Sequence, residues 1–232
     1  VLGCTGTGST SGIIQGVDWI TANRTGPSVV NMSLGGGYSP SFNTAIANSI
    51  ASGVTYAIAA GNDNTDACDA SPASAPNAIT VGSSTMFATN PASDTRSTFS
   101  NWGTCVDVFA FCSFIVSAAI TSDTASRTIS GTSMATPHVA GVAARFLQAN
   151  PAASPELVAN SIINSSTKNA IGSNIGGGSP NRLLFADVVA DNTTPTPPTP
   201  GPDPAIRIND NTIATPYPAT FTISGFSGLI GN

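Results

Sequence analysis

The chain has 232 residues, room for one large domain plus a further piece, and only 8% of them are charged. Its net charge is -5, and seven scattered Lys and Arg residues form no basic patch. This argues against nucleic acid binding, which needs clustered cations to neutralise phosphates. No apolar run approaches bilayer-spanning length.

The 23 glycines and abundant Ser, Thr and Asn suggest a rigid, loop-rich extracellular protein. The four cysteines, Cys4, Cys68, Cys105 and Cys112, include no C-x-x-C pair, and His138 is the one histidine. Disulfides in an oxidising compartment are a better reading than a zinc site. The chain opens on valine without a secretory leader, so processing or a cut upstream is expected.

Along the chain, Ile13, Ile14, Val17 and Ile20 share one helical face, and SVVNMSL (28–34) reads as a buried strand. Phe42, Ala45, Ile46 and Ile50 return to helical spacing, with Gly53 as the stop. VTYAIAA (54–60), Ala78–Val81 and VDVFA (106–110) read as further buried strands. A long helix is expected over 133–149, and a second opens at Ser154-Pro155 with the serine as cap. Apolar strands alternating with helices predict an α/β fold: a mostly parallel sheet covered on both faces.

Composition shifts near Asp191, where DNTTPTPPTPGPDP (191–204) reads as a semi-rigid linker. Beyond it TFTISGF alternates like a strand, in a tail too short to fold alone. The expected organisation is an α/β portion over 1–190, a linker over 191–204, and the truncated start of a β-domain over 205–232.

The strongest motif is SGTSMATPHVAGVAA, from Ser130 to Ala144. Ser133 follows a glycine turn and opens a helix rich in small residues, where unpaired N–H groups and the helix dipole favour negative charge. A nucleophilic oxygen and a developing oxyanion both gain there. The plain alternative is a Ser/Thr helix cap. In AIAAGNDN (57–64), a strand ends at Asn62, whose amide can donate to an oxyanion without carrying charge. The alternative is an ordinary Gly-Asn turn. In NMSLGGGYS (31–39), three glycines bare a backbone to which an extended peptide could add as a strand, although such a run alone is usually a loop.

GTSMATPHVAG closely resembles the nucleophile motif of subtilisin-like serine proteases. The likeness runs over residues 1 to about 187, through GSTSG, GVDW, NMSLGGG, AAGNDN, SPAS, TVG, FSNWGTCVD and GSPNRLL. It is nearest the proteinase K branch, among aqualysin-like enzymes. The resemblance implies a three-layer fold, Ser133 as nucleophile and Asn62 as oxyanion donor. It implies substrate binding by Ser33, Leu34, Gly35 and Gly36, with Ala59, Ala60 and Gly61 walling a pocket for bulky apolar side chains. It implies a Cys68–Cys105 disulfide, and for Cys4 a partner upstream of residue 1. No cofactor for catalysis is implied. A structural calcium is, with Pro76 and Ala78 offering carbonyls and Asp107 a carboxylate, all hard oxygen ligands. The alternative for Asp107 is a loop carboxylate accepting backbone hydrogen bonds.

His138 lies roughly 7.5 Å along the helix axis from Ser133 and is expected to be structural. By the resemblance, the catalytic Asp and His precede Val1, so this segment alone is expected to be inactive. The whole protein is expected to be a secreted endopeptidase acting on polypeptides through an acyl-enzyme, made with an N-terminal propeptide. One departure stands out: Ala110-Phe111-Cys112 occupies the place of the family's Ala-Pro-Gly, removing a preset turn geometry. The tail ATPYPATFTISGFSG resembles the start of a P-type β-sandwich domain.

Three rivals stand beside this reading. An α/β-hydrolase needs a histidine well after the serine, and none follows except His138. A phosphate loop at GCTGTGSTSG lacks its lysine and its preceding strand. The third is an inactive, protease-like binding or surface protein.

Overall fold

The computed structural model describes residues 1–3, 6–86, 94–172 and 174–187, and the backbone of 221–224. Its helices are α1 (Thr10–Asn23), α2 (Pro40–Ala51), α3 (Thr132–Ala149) and α4 (Pro155–Ser165). Its strands are β1 (Ser28–Met32), β2 (Gly36–Gly37), β3 (Val54–Ala59), β4 (Ala70–Ser71), β5 (Ile79–Thr85) and β6 (Thr95–Arg96). They continue with β7 (Val108–Phe111), β8 (Ile115–Ala118), β9 (Ser126–Ile129), β10 (Thr167–Lys168), β11 (Arg182–Leu183) and β12 (Phe221–Ser224).

The main sheet runs β10-β11-β7-β5-β3-β1-β12, with β6 paired to β5. From β11 to β12 every neighbouring pair is parallel. All of β3 is buried, as expected for a strand covered on both faces. On one face α1 and α2 pack Ile13, Val17, Phe42, Ile46 and Ile50 against Val30, Tyr56 and Ile58. On the other, α3 lies across β1, β3, β5 and β7, and Val139, Ala143 and Phe146 meet Ala57, Ile79, Val81 and Val108. This is the expected three-layer arrangement. Each fully buried aliphatic side chain contributes about 1.5–3 kcal/mol relative to exposure.

The helix starts follow local chemistry. Ser9, Ser39 and Ser154 accept from the backbone N–H three residues on, and α2 and α4 begin with proline. The glycine-rich opening segment therefore ends in an ordinary serine cap for α1.

Some elements differ from the pattern reading. β5 continues past Val81 to Thr85, because buried Ser83 is satisfied sideways: its hydroxyl donates to Ser97 Oγ (2.6 Å) and meets Cys112 Sγ. β7 starts two residues late and takes in Phe111. The β8–β9 hairpin follows the altered Phe111–Phe114 turn; Cys112 is buried there while Phe114 is exposed at φ +57°. The disulfide joins Cys68 to Cys105, and Cys112 is a free thiol. Cys4, the linker and all of the tail except Phe221–Ser224 lie outside the described residues. That four-residue strand pairs in parallel with β1.

Candidate active site

Helix α3 begins without a cap of its own, since Gly131 has no side chain to accept its first N–H. The acceptor comes from another loop. Asn62 Oδ1 receives both the Thr132 N–H (2.9 Å) and the Thr132 hydroxyl (3.0 Å). With its oxygen held by a backbone donor, the amide's orientation is set, and among the described residues its Nδ2 has no acceptor. Thr132 Oγ1 accepts in turn from the Gly61 N–H (3.3 Å). Fully buried Thr132 thus ties the loop after β3 to the start of α3.

Ser133 is the second residue of α3, and among the described residues its N–H has no acceptor. Pro137, four residues on, has no N–H to give the Ser133 carbonyl. That carbonyl instead accepts from Ser33 Oγ (2.9 Å), while Ser133 Oγ donates to Ser33 O (3.3 Å). The proline inside the motif therefore opens a contact between the helix start and the end of β1. Ser133 is half-buried and Asn62 exposed, and both line one open cleft of about 540 Å³. Leu34, Gly35, Gly36, Ala59, Ala60 and Gly61 line it too, so these sequence-predicted residues converge, with Ser33 just behind. Gly61 has φ +106°, and a Cβ there would collide with the Asn101 side chain, so this turn requires glycine.

His138 is exposed, and its Nδ1 pairs with Met134 O (2.9 Å) within the helix, consistent with a structural role. Asp107 lies apart from the cleft, before β7. Its Oδ2 accepts the Thr80 N–H (2.7 Å), and burial pushes its pKa up to about 6, with that hydrogen bond pulling the other way. Pro76 and Ala78 occupy the segment just before β5, the strand that contains Thr80. Among the described residues no three His, Cys, Asp or Glu side chains cluster as metal ligands. Sequence reasoning did not place Thr132 and Asn101 at this cleft, which both line. Both lie inside quoted motifs, but neither residue type announces a distant partner.

A backbone N–H and a carboxamide beside a serine hydroxyl form a set of neutral donors able to hold an oxygen that gains charge. The sequence model for peptidase S8, the subtilase family, matches residues 2–183, and the chain belongs to that family. The alkaline serine exoprotease A of Vibrio alginolyticus is 47% identical over 232 residues, all of this chain and 40% of that protein. The extracellular serine proteinase of Thermus sp. strain Rt41A is 52% identical over 185 residues, 80% of this chain and 43% of that one. A solved structure described as a cold adapted subtilisin-like serine proteinase superposes with TM-score 0.74 at 49% identity. That match covers 82% of this chain and 66% of the solved one. The chain spans less than half the length of these two sequence relatives.

Proposed function

We propose that this segment supplies the nucleophile and the oxyanion-binding half of a secreted serine endopeptidase. The observation that carries the reading is the capping of α3 by Asn62: the amide oxygen is spent on Thr132, leaving Nδ2 as a donor in the cleft of Ser133. A base from outside these 232 residues, oriented by a carboxylate, takes the proton from Ser133 Oγ as that oxygen attacks the peptide carbonyl. The carbonyl oxygen gains the charge and is held by Asn62 Nδ2 and the Ser133 N–H. Collapse expels the amine, which takes the proton, and leaves an ester on Ser133; water then releases the acid. The exposed backbone of Gly35 and Gly36 binds the peptide as an added strand, and the small walls Ala59, Ala60 and Gly61 admit a bulky apolar side chain. The whole protein's partners are thus polypeptides, with its own propeptide as the first of them. Residues 191–204 link this portion to a C-terminal β-domain.

A fluorophosphonate probe tests the reading on the full-length protein: Ser133 is labelled, and Ser133→Ala is not. Absence of labelling in the folded wild type would favour the inactive, protease-like binding protein.

A structural calcium belongs to the same proposal. The donors are hard oxygens, and a cation would relieve the cost of a buried Asp107 carboxylate that has one backbone hydrogen bond. Asp107, Pro76 and Ala78 would hold it. Calcium added after chelation raises Tm in the wild type and leaves Asp107→Asn unmoved; equal shifts in both would remove the site.

A further inference from the structure

We propose that Asn101 is the positioning residue for the oxyanion donor, an inference that rests on the reading of Asn62 above. Asn62 sits on a sharp loop, and Thr132 holds only its side chain. The backbone on either side is held by one carboxamide distant in sequence. Asn101 Nδ2 donates to Ala60 O (2.9 Å). Its Oδ1 accepts from the Asp63 N–H (3.0 Å), the Thr65 N–H (3.1 Å) and, more weakly, the Thr65 hydroxyl (3.4 Å). Its own N–H donates to Gly61 O (2.9 Å). Five hydrogen bonds thus bracket residue 62 on both sides.

Only an amide suits this position. The acceptor must be an oxygen because two backbone N–H groups point at it, and the donor must be a nitrogen because a carbonyl faces it. Asn101 is 1% exposed and Ala60 is fully buried, so losing the Nδ2 donor would leave a buried carbonyl unpaired. Gly61 has no Cβ because the Asn101 amide fills that space. The support continues outward. The guanidinium of buried Arg96 donates to the carbonyls of Ser97 (3.2 Å) and Ser100, fixing the turn that presents Asn101.

The test is a kinetic double-mutant cycle in the full-length protease, with circular dichroism and Tm on each variant. Asn101→Ala is expected to lower kcat roughly ten- to hundredfold with a smaller change in KM, the penalty of a misplaced catalytic group. In an Asn62→Ala background the same substitution is expected to cost less than about twofold in kcat, because the two residues act as one unit. An undiminished loss in that background, or a wild-type kcat for Asn101→Ala, overturns the proposal. Should Asn101→Ala fail to fold, Asn101→Asp enters the same cycle. It keeps the acceptor and sets an oxygen against Ala60 O, and the same non-additive loss is expected. If Asn62→Ala itself keeps the wild-type kcat, the oxyanion reading fails, and the role of Asn101 fails with it.

Discussion

Two segments leave the C-terminal ends of parallel strands in one sheet, and they are held in opposite ways. The loop after β3 carries Asn62 and is fastened at nearly every residue by groups distant in sequence. Beyond the Asn101 and Thr132 contacts, Asn64 N donates to Phe99 O (2.9 Å) and Ala67 N to Trp102 O (2.7 Å). The segment after β7 is anchored at its root, by Cys112 N to Ser84 O (3.1 Å) and by the Ser113–Thr85 hydroxyl pair (2.5 Å). It then runs out as the β8–β9 hairpin, whose two strands pair with each other in a sheet of their own, with Phe114 78% and Ile120 96% exposed. The long-range hydrogen bonds are concentrated on the loop that carries Asn62, and the altered turn lies in the other segment.

The strand that precedes the first loop also carries a pH-dependent contribution to stability. Tyr56 in β3 is fully buried, and its hydroxyl pairs with Ser49 Oγ (2.9 Å). Burial pushes its pKa up to about 12, the Ser49 hydrogen bond pulls it down and the charge of Asp18 adds to the rise. A raised folded-state pKa gives stability that is complete below the unfolded value near 10 and lost as pH climbs towards about 12. The loss amounts to at most about 3 kcal/mol. Denaturant melts across that range should show the slope in the wild type and not in Tyr56→Phe, which costs about 1 kcal/mol at neutral pH. Thr21 still donates to Ser49 in that variant (2.7 Å). An identical alkaline slope in both proteins would contradict the assignment.

A smaller effect belongs to the second segment. Phe114 holds a left-handed backbone while its side chain faces solvent. Phe114→Gly should raise stability by roughly 1 kcal/mol, by removing that strain, and leave kcat unchanged. A fall in kcat would break the contrast between the two loops.

The main strands and helices were legible because burial on both faces writes continuous apolar runs, as in VTYAIA, and one-sided burial writes helical spacing, as in Ile13 and Val17. The end of β5 was not legible: Gly82, Ser83 and Ser84 carry no apolar signal, and their burial depends on Ser97, Ser100 and residues of β7. The hairpin was missed too: Ile115 and Ile129 at its root pack on the core, but most of its remaining residues are exposed, too little burial to write a pattern. That Ser133 and Asn62 would face one cleft could be read because their motifs are long. Asn101 and Thr132 could not, since a polar residue's partner is a property of the fold.

The measurement that bears most directly on the account is a crystal structure of the full-length protein with a phosphonate bound to Ser133. The account expects the phosphonyl oxygen within about 2.7–3.1 Å of both Asn62 Nδ2 and the Ser133 N–H. A phosphonyl oxygen turned to solvent, with Asn62 pointing elsewhere, would contradict it.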